Sequence, residues 1–126
     1  MKILIIDDDQ ASIFLTKLIL SFEGFSQNVE AFHDSDEALK HLLNAESDEI
    51  PEIILLDLNM PVYSGWDILD AIAPFEEKFK DRCNIYILTS SLDTTDMVKS
   101  KSYSTVSGFI HKPITNEDIN MITSPN

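Results

Sequence analysis

The chain has 126 residues, enough for one domain with a core of its own, and its 9 Lys and Arg against 22 Asp and Glu leave a net charge of −13. That balance argues against direct nucleic-acid binding and against docking on an anionic membrane, while 44% hydrophobic content excludes a disordered chain. No apolar run approaches the ~18 residues of a membrane span, the start Met1-Lys2-Ile3-Leu4 is no secretory signal, and Cys83 alone can make neither an internal disulfide nor a thiolate zinc site, so a reducing cytoplasm is expected.

In chain order, Ile3 to Ile6 is a continuous apolar run, which predicts a strand buried on both faces. Ala11 to Glu23 follows as a helix, with Phe14, Leu15, Leu18, Ile19 and Phe22 as its apolar stripe and Gly24 as its stop. At about 100° per residue, Ile13 and Leu20 fall on the opposite, solvent side of that helix. Asn28 to Phe32 is a weaker strand at an edge. Asp34 with Glu37 resembles a capping box opening a helix to about Asn44, with Ala38, Leu39, Leu42 and Leu43 inward. Ile53 to Leu56 and Ile85 to Leu88 are two further buried strands. Between them, Trp66 to Ala73 reads as a helix that Pro74 ends, and Pro74 to Asn84 as a broken, charged stretch. Thr94 to Tyr103 is a marginal helix with few anchors: Met97, Val98 and Tyr103. Gly108 to His111 is a fifth strand, and Thr115 caps a short last helix holding Ile119 and Ile122. No repeat or linker divides the chain, so residues 1–126 read as one domain. Strand and helix alternate five times, which predicts an open α/β sheet of parallel strands with its site beyond their carboxyl ends.

Those ends hold the most informative residues. The first strand runs into Asp7-Asp8-Asp9, the third into Asp57-Leu58-Asn59-Met60-Pro61, the fourth into Thr89-Ser90 and the fifth into Lys112-Pro113. Crowded carboxylates repel, and a divalent cation relieves them. Oxygen-only ligands suit Mg²⁺ or Mn²⁺ rather than zinc, and Mg²⁺ favours phosphate as a co-ligand. A carboxylate nucleophile with a hydroxyl and a lysine beside it reads as acceptance of a phosphoryl group on an aspartate. Asp9 has a plainer use as the cap of the helix after it. His33, His41 and His111 are scattered and read as surface or strand-edge residues, Trp66 as core and Cys83 as an inert, partly buried thiol.

Ile5-Ile6-Asp7-Asp8-Asp9, Leu55-Leu56-Asp57-Leu58-Asn59-Met60-Pro61 with Gly65, Leu88-Thr89-Ser90 and Phe109-Ile110-His111-Lys112-Pro113 together resemble response-regulator receiver domains of two-component signalling, such as chemotaxis regulators. The resemblance covers essentially the whole chain. It implies a doubly wound, flavodoxin-like sheet of five parallel strands in the order 2-1-3-4-5, with helices on both faces. It implies Asp57 as phosphoacceptor, Asp8 and Asp57 as direct Mg²⁺ ligands, Asp7 acting through water, and the Asn59 carbonyl completing the protein ligands. Thr89 would bond the phosphoryl oxygen, Lys112 would pair with Asp57 and then with the phosphoryl group, and the Lys112-Pro113 peptide would be cis. Thr89 and the aromatic Phe109 would form the switch. Asn59 and Ser91 occupy the positions that tune dephosphorylation.

The resemblance also implies a partner: a histidine kinase or histidine phosphotransfer protein as donor, docked on the first helix, where Ile13 and Leu20 are the expected contacts. With no output domain in 126 residues, an unknown downstream protein would read the signal. The chemistry would be limited to self-phosphorylation and self-dephosphorylation. Three alternatives compete. A small Mg²⁺-dependent aspartate-nucleophile phosphohydrolase normally carries a second carboxylate where Asn59 stands. A flavodoxin-like cofactor binder would carry a Gly-rich phosphate cradle, which the loops lack. A pseudo-receiver would be a binding module only.

Overall fold

Runs of Ile and Leu with no polar alternation can be satisfied only by burial on both faces, and the chain folds accordingly. The structure is a computed structural model that describes residues 1–25, 27–90 and 94–124. Five strands, β1 (Ile3–Ile6), β2 (Val29–Phe32), β3 (Ile53–Asp57), β4 (Asn84–Thr89) and β5 (Val106–His111), pair in parallel in the order β2-β1-β3-β4-β5. The helices are α1 (Gln10–Phe22), α2 (Ser35–Asn44), α3 (Gly65–Ile72), α4 (Glu76–Phe79), α5 (Thr94–Ser100) and α6 (Asn116–Thr123). Each predicted strand and helix is present, with ends shifted by a residue or a few. The broken stretch after α3 is a 3₁₀ turn at Ala73–Phe75 followed by the single turn of α4.

Two cores follow from the pleat. Leu4, Ile6, Ile54 and Leu56 face α2 and α3, packing with Ala38, Leu42, Ile68, Leu69, Ile72 and Phe79. Ile3, Ile5, Ile53 and Leu55 face the other way, against Ile13 and Leu20 of α1 and Ile119 and Ile122 of α6. Among the described residues, no helix is long and apolar enough to cross a membrane.

The phase of α1 is the reverse of the expectation. Leu20 is wholly buried and Ile13 nearly so, whereas Phe14, Leu15, Leu18 and Phe22 are exposed, Phe22 at 73%. The helix carries two apolar arcs half a turn apart, and counting residues selects the larger one. The connection from β1 decides otherwise: Asp9 accepts hydrogen bonds from Ala11 N–H and Ser12 N–H and so starts the helix three residues past the strand. That phase turns Ile13, Thr16 and Leu20 inward, toward the sheet. Leu43 is likewise exposed rather than inward, and Asp34 caps α2 alone through Asp36 N–H and Glu37 N–H.

On α5, Met97 and Val98 are exposed and do not serve as anchors. The attachment runs instead through Trp66 on α3. Tyr103 stacks on its ring at 5.6 Å, Lys99 Nζ lies 4.7 Å above it, and Tyr103 Oη donates to Asp70 Oδ1 at 2.6 Å. That bond, then partial burial, pushes the Tyr103 phenol up to about 12.

Candidate functional site

The three consecutive aspartates after β1 take three different positions. Asp7 continues the β ladder by one residue, its N–H donating to Phe32 O at 3.1 Å, and its side chain is fully buried. Asp8 is exposed, and Asp9 caps α1 while its own N–H donates to Asp7 Oδ1 at 3.0 Å. Asp57, the last residue of β3, is buried beside them. The carboxylate oxygens of Asp7, Asp8 and Asp57 lie within 4.8 Å of one another.

Lys112 closes the group from the far end of the chain. Its N–H donates to the Thr89 carbonyl at 2.7 Å, extending the β4–β5 ladder by one residue. Its Nζ stands 2.8 Å from Asp7 Oδ2 and 3.5 Å from Asp57 Oδ1. The Lys112-Pro113 peptide is cis, as expected. Thr89 is buried at the end of β4, adjacent in the sheet to His111.

Electrostatics in the cluster are governed by burial and crowding. Burial, opposed by Lys112, and then the charges of Asp7 and Asp8 raise the Asp57 carboxyl to about 6, despite a favourable hydrogen bond from the Asn59 backbone. For Lys112, burial works against the charge, but the bond to Asp7 and the charges of Asp57 and Asp7 outweigh it and hold the ammonium above its ordinary value. One lysine thus faces three carboxylates, leaving uncompensated negative charge among oxygen donors of which one, on Asp8, is open to solvent. That donor set fits a hard divalent cation such as Mg²⁺ or Mn²⁺. Asn59 is exposed on the following loop, where its carbonyl could join them.

The loop from Leu58 to Ser64 is tied at both ends. Gly65 N–H donates to Leu58 O at 2.9 Å, and a Cβ at Gly65 would stand 2.6 Å from the Asp57 carbonyl, so only glycine fits. In the middle, the hydroxyl of Ser35 on α2 bonds both Pro61 and Tyr63. Nothing local in the sequence marked Ser35, because its partners lie 26 and 28 residues away.

Phe109 is half-buried on β5, against the α2–α3 core on one side and a cavity of ≈ 210 Å³ between α5 and β5 on the other, lined also by Met97, Ser100 and Val106. Ile13 and Leu20 pack against the sheet, Leu20 wholly buried and Ile13 nearly so, and do not form an exposed contact pair. The exposed apolar face of α1 consists instead of Phe14, Leu15, Leu18 and Phe22, with Ile19 half-buried against the sheet core. Leu15 from that face joins Lys112, Pro113 and Ile114 around another cavity of ≈ 210 Å³, so the stripe runs up to the carboxylate cluster. His33 and His111 are exposed, and His41 is half-buried 3.8 Å from Glu30. Cys83 is buried, which pushes its thiol up to about 12. Ser91 lies outside the described residues.

Comparison with known proteins gives a consistent picture. Residues 3–123 match the family described as the response regulator receiver domain. The transcriptional regulatory protein CpxR of Escherichia coli (strain K12) is 41% identical over 71 residues, which cover 56% of this chain and 28% of CpxR. The transcriptional regulatory protein TrcR of Mycobacterium tuberculosis is 28% identical over 122 residues, covering 94% of this chain and 42% of TrcR. The chain therefore spans less than half the length of either curated relative. Among solved structures, a two component response regulator from Cytophaga hutchinsonii superimposes with a TM-score of 0.85 at 28% identity, covering 96% of this chain and 92% of that one.

Proposed function

This chain belongs to the response regulator receiver domain family, and we propose that it is a phosphorylation-activated switch that accepts a phosphoryl group on Asp57 and changes its binding to a downstream protein in response. The observation that carries this reading is the convergence of Asp7, Asp8, Asp57 and Lys112 from three distant parts of the chain at one end of the sheet.

In the transfer, a carboxylate oxygen of Asp57 attacks phosphorus. The bond from phosphorus to the donor nitrogen of a histidine kinase or histidine phosphotransfer protein breaks, and the electron pair stays on that imidazole. Asp8, Asp57 and the Asn59 carbonyl would hold Mg²⁺ or Mn²⁺, with Asp7 behind them, and the cation when bound supplies charge neutralisation for the carboxylates and the incoming phosphoryl oxygens. Lys112 Nζ, already between Asp7 and Asp57, turns its charge to the phosphoryl group. The Thr89 hydroxyl donates to a second phosphoryl oxygen, and Phe109 rotates inward behind it. The cavity beside Phe109 supports such a movement by leaving room on one side of the ring. The chemistry is self-phosphorylation and self-dephosphorylation rather than turnover of a free substrate.

The donor docks as a helical bundle on the outer face of α1 through Phe14, Leu15, Leu18 and Phe22. Contiguous exposed apolar side chains are the usual mark of such a surface, and Leu15 connects this one to Lys112. The setting is the cytoplasm, in keeping with a lone, buried cysteine.

The test is intact mass after incubation with acetyl phosphate. One phosphoryl adduct is expected with Mg²⁺, none without it and none in Asp57→Asn. Steady hydrolysis of many phosphate esters would favour a phosphohydrolase instead, and no adduct from any donor would leave a binding module without phosphoryl chemistry.

A further inference from the structure

Val62 is exposed and has a φ of 68°, a conformation that a β-branched side chain enters only at a cost. The Tyr63 N–H reaches back to the Pro61 carbonyl at 2.8 Å, closing a three-residue γ-turn centred on Val62. With its side chain in solvent, Val62 gains little packing to offset that strain, so the turn must be held from outside. Ser35 does this. Its buried hydroxyl donates to Pro61 O at 2.9 Å and accepts from Tyr63 N–H at 3.1 Å, gripping both arms of the turn. The turn begins two residues after Asn59, and the segment between them is short and partly rigid, because Pro61 has a fixed φ. Downstream the loop ends at Gly65, whose N–H is bonded back to Leu58. If Val62 relaxed to a negative φ, the change would pass through Pro61 to the backbone of Met60 and Asn59.

We propose that Ser35 is a positioning residue for the cation site: its hydroxyl holds the strained Val62 turn and thereby sets the Asn59 backbone carbonyl toward a divalent cation. This rests on the reading of the cluster as a Mg²⁺-assisted phosphoacceptor site. Ser35 itself touches neither the carboxylates nor Lys112. It acts only through the loop, so its effect should depend on the residue at the strained position. A glycine there adopts positive φ freely and needs no clamp.

The test is a Mg²⁺ titration followed by the fluorescence of Trp66, the chain's one tryptophan, which directly follows Gly65. Ser35→Ala should raise the Mg²⁺ dissociation constant about fivefold, the loss of one net hydrogen bond. Val62→Gly alone should leave the constant nearly unchanged, and Ser35→Ala combined with Val62→Gly should restore it. A metal-free readout accompanies the titration: exchange of the Tyr63 amide should quicken in Ser35→Ala and slow again in the double variant. A general loss of stability would not be repaired selectively by Val62→Gly. Equal Mg²⁺ affinity in Ser35→Ala and the parent, or a double variant no better than Ser35→Ala, overturns the positioning role while leaving the site reading intact. A parent protein that binds no Mg²⁺ overturns both.

Discussion

Lys112 Nζ lies 2.8 Å from Asp7 Oδ2, and Asp7 is fully buried. A carboxylate so placed depends on its partner, because the low-dielectric surroundings penalise an unpaired charge far more than a pair. Lys112→Ala should therefore destabilise the fold by about 3 kcal/mol at neutral pH. Chemical denaturation checks this. The loss should shrink when Mg²⁺ is added, since the cation takes over part of the neutralisation.

Asp57 makes stability depend on pH. Its carboxyl is raised from 3.8 to about 6, chiefly by burial, so the folded state binds the proton more tightly than the unfolded chain. The contribution of Asp57 to stability is thus fully present below its unfolded value and is lost as pH rises through its folded one. In metal-free protein, the melting temperature should fall across that window, and Asp57→Asn should flatten the fall and melt higher at neutral pH. Thermal melts of both proteins with pH, repeated with Mg²⁺, read the effect directly. Mg²⁺ should stabilise the parent and leave the variant nearly unmoved.

Gly65 is fixed by contact rather than by torsion. An added methyl would press on the Asp57 carbonyl at 2.6 Å and the Leu58 Cα at 2.9 Å, both backbone atoms that cannot swing aside. Gly65→Ala should cost about 2 kcal/mol and displace Asp57 enough to abolish phosphoryl acceptance from acetyl phosphate. Denaturation and intact mass, measured on the same sample, separate the two effects.

The outer face of α1 is tested by replacing Phe14 and Leu18 together with Ser. Phosphotransfer from a histidine kinase should fall about tenfold or more, the usual cost of losing central apolar contacts. Labelling by acetyl phosphate and the melting temperature should hold. Leu20→Ser should do the reverse, destabilising the protein by about 3 kcal/mol because it empties a wholly buried site.

How far this could be read from the sequence depends on the range of the interactions involved. Strands such as Ile3–Ile6 and caps such as Thr115 are determined by neighbours within a few residues, and both stand where their local pattern places them. The carboxylates and Lys112 were legible because each lies at or just past the carboxyl end of an apolar strand, and a parallel sheet brings such positions to one edge. The phase of α1 was not legible. Two apolar arcs compete on that helix, and the choice is made by the Asp9 cap and by the room beside Ile3, Ile5 and α6. The Ser35 grip on Pro61 and Tyr63 was also invisible, since it joins the first residue of α2 to a loop 26 and 28 residues away that meets it only in the folded chain. Tyr103 is an anchor, as its aromatic side chain suggests, but it lies three residues past the end of α5 and holds by stacking on Trp66.

The most direct measurement is chemical trapping of the modified residue. After incubation with acetyl phosphate and Mg²⁺, borohydride reduces an aspartyl phosphate to homoserine, and peptide mass spectrometry locates it. Conversion at Asp57, absent when Mg²⁺ is withheld, is the predicted result. Conversion at Asp7 or Asp8 instead, or none at any aspartate, would contradict the assignment of Asp57 as the phosphoacceptor.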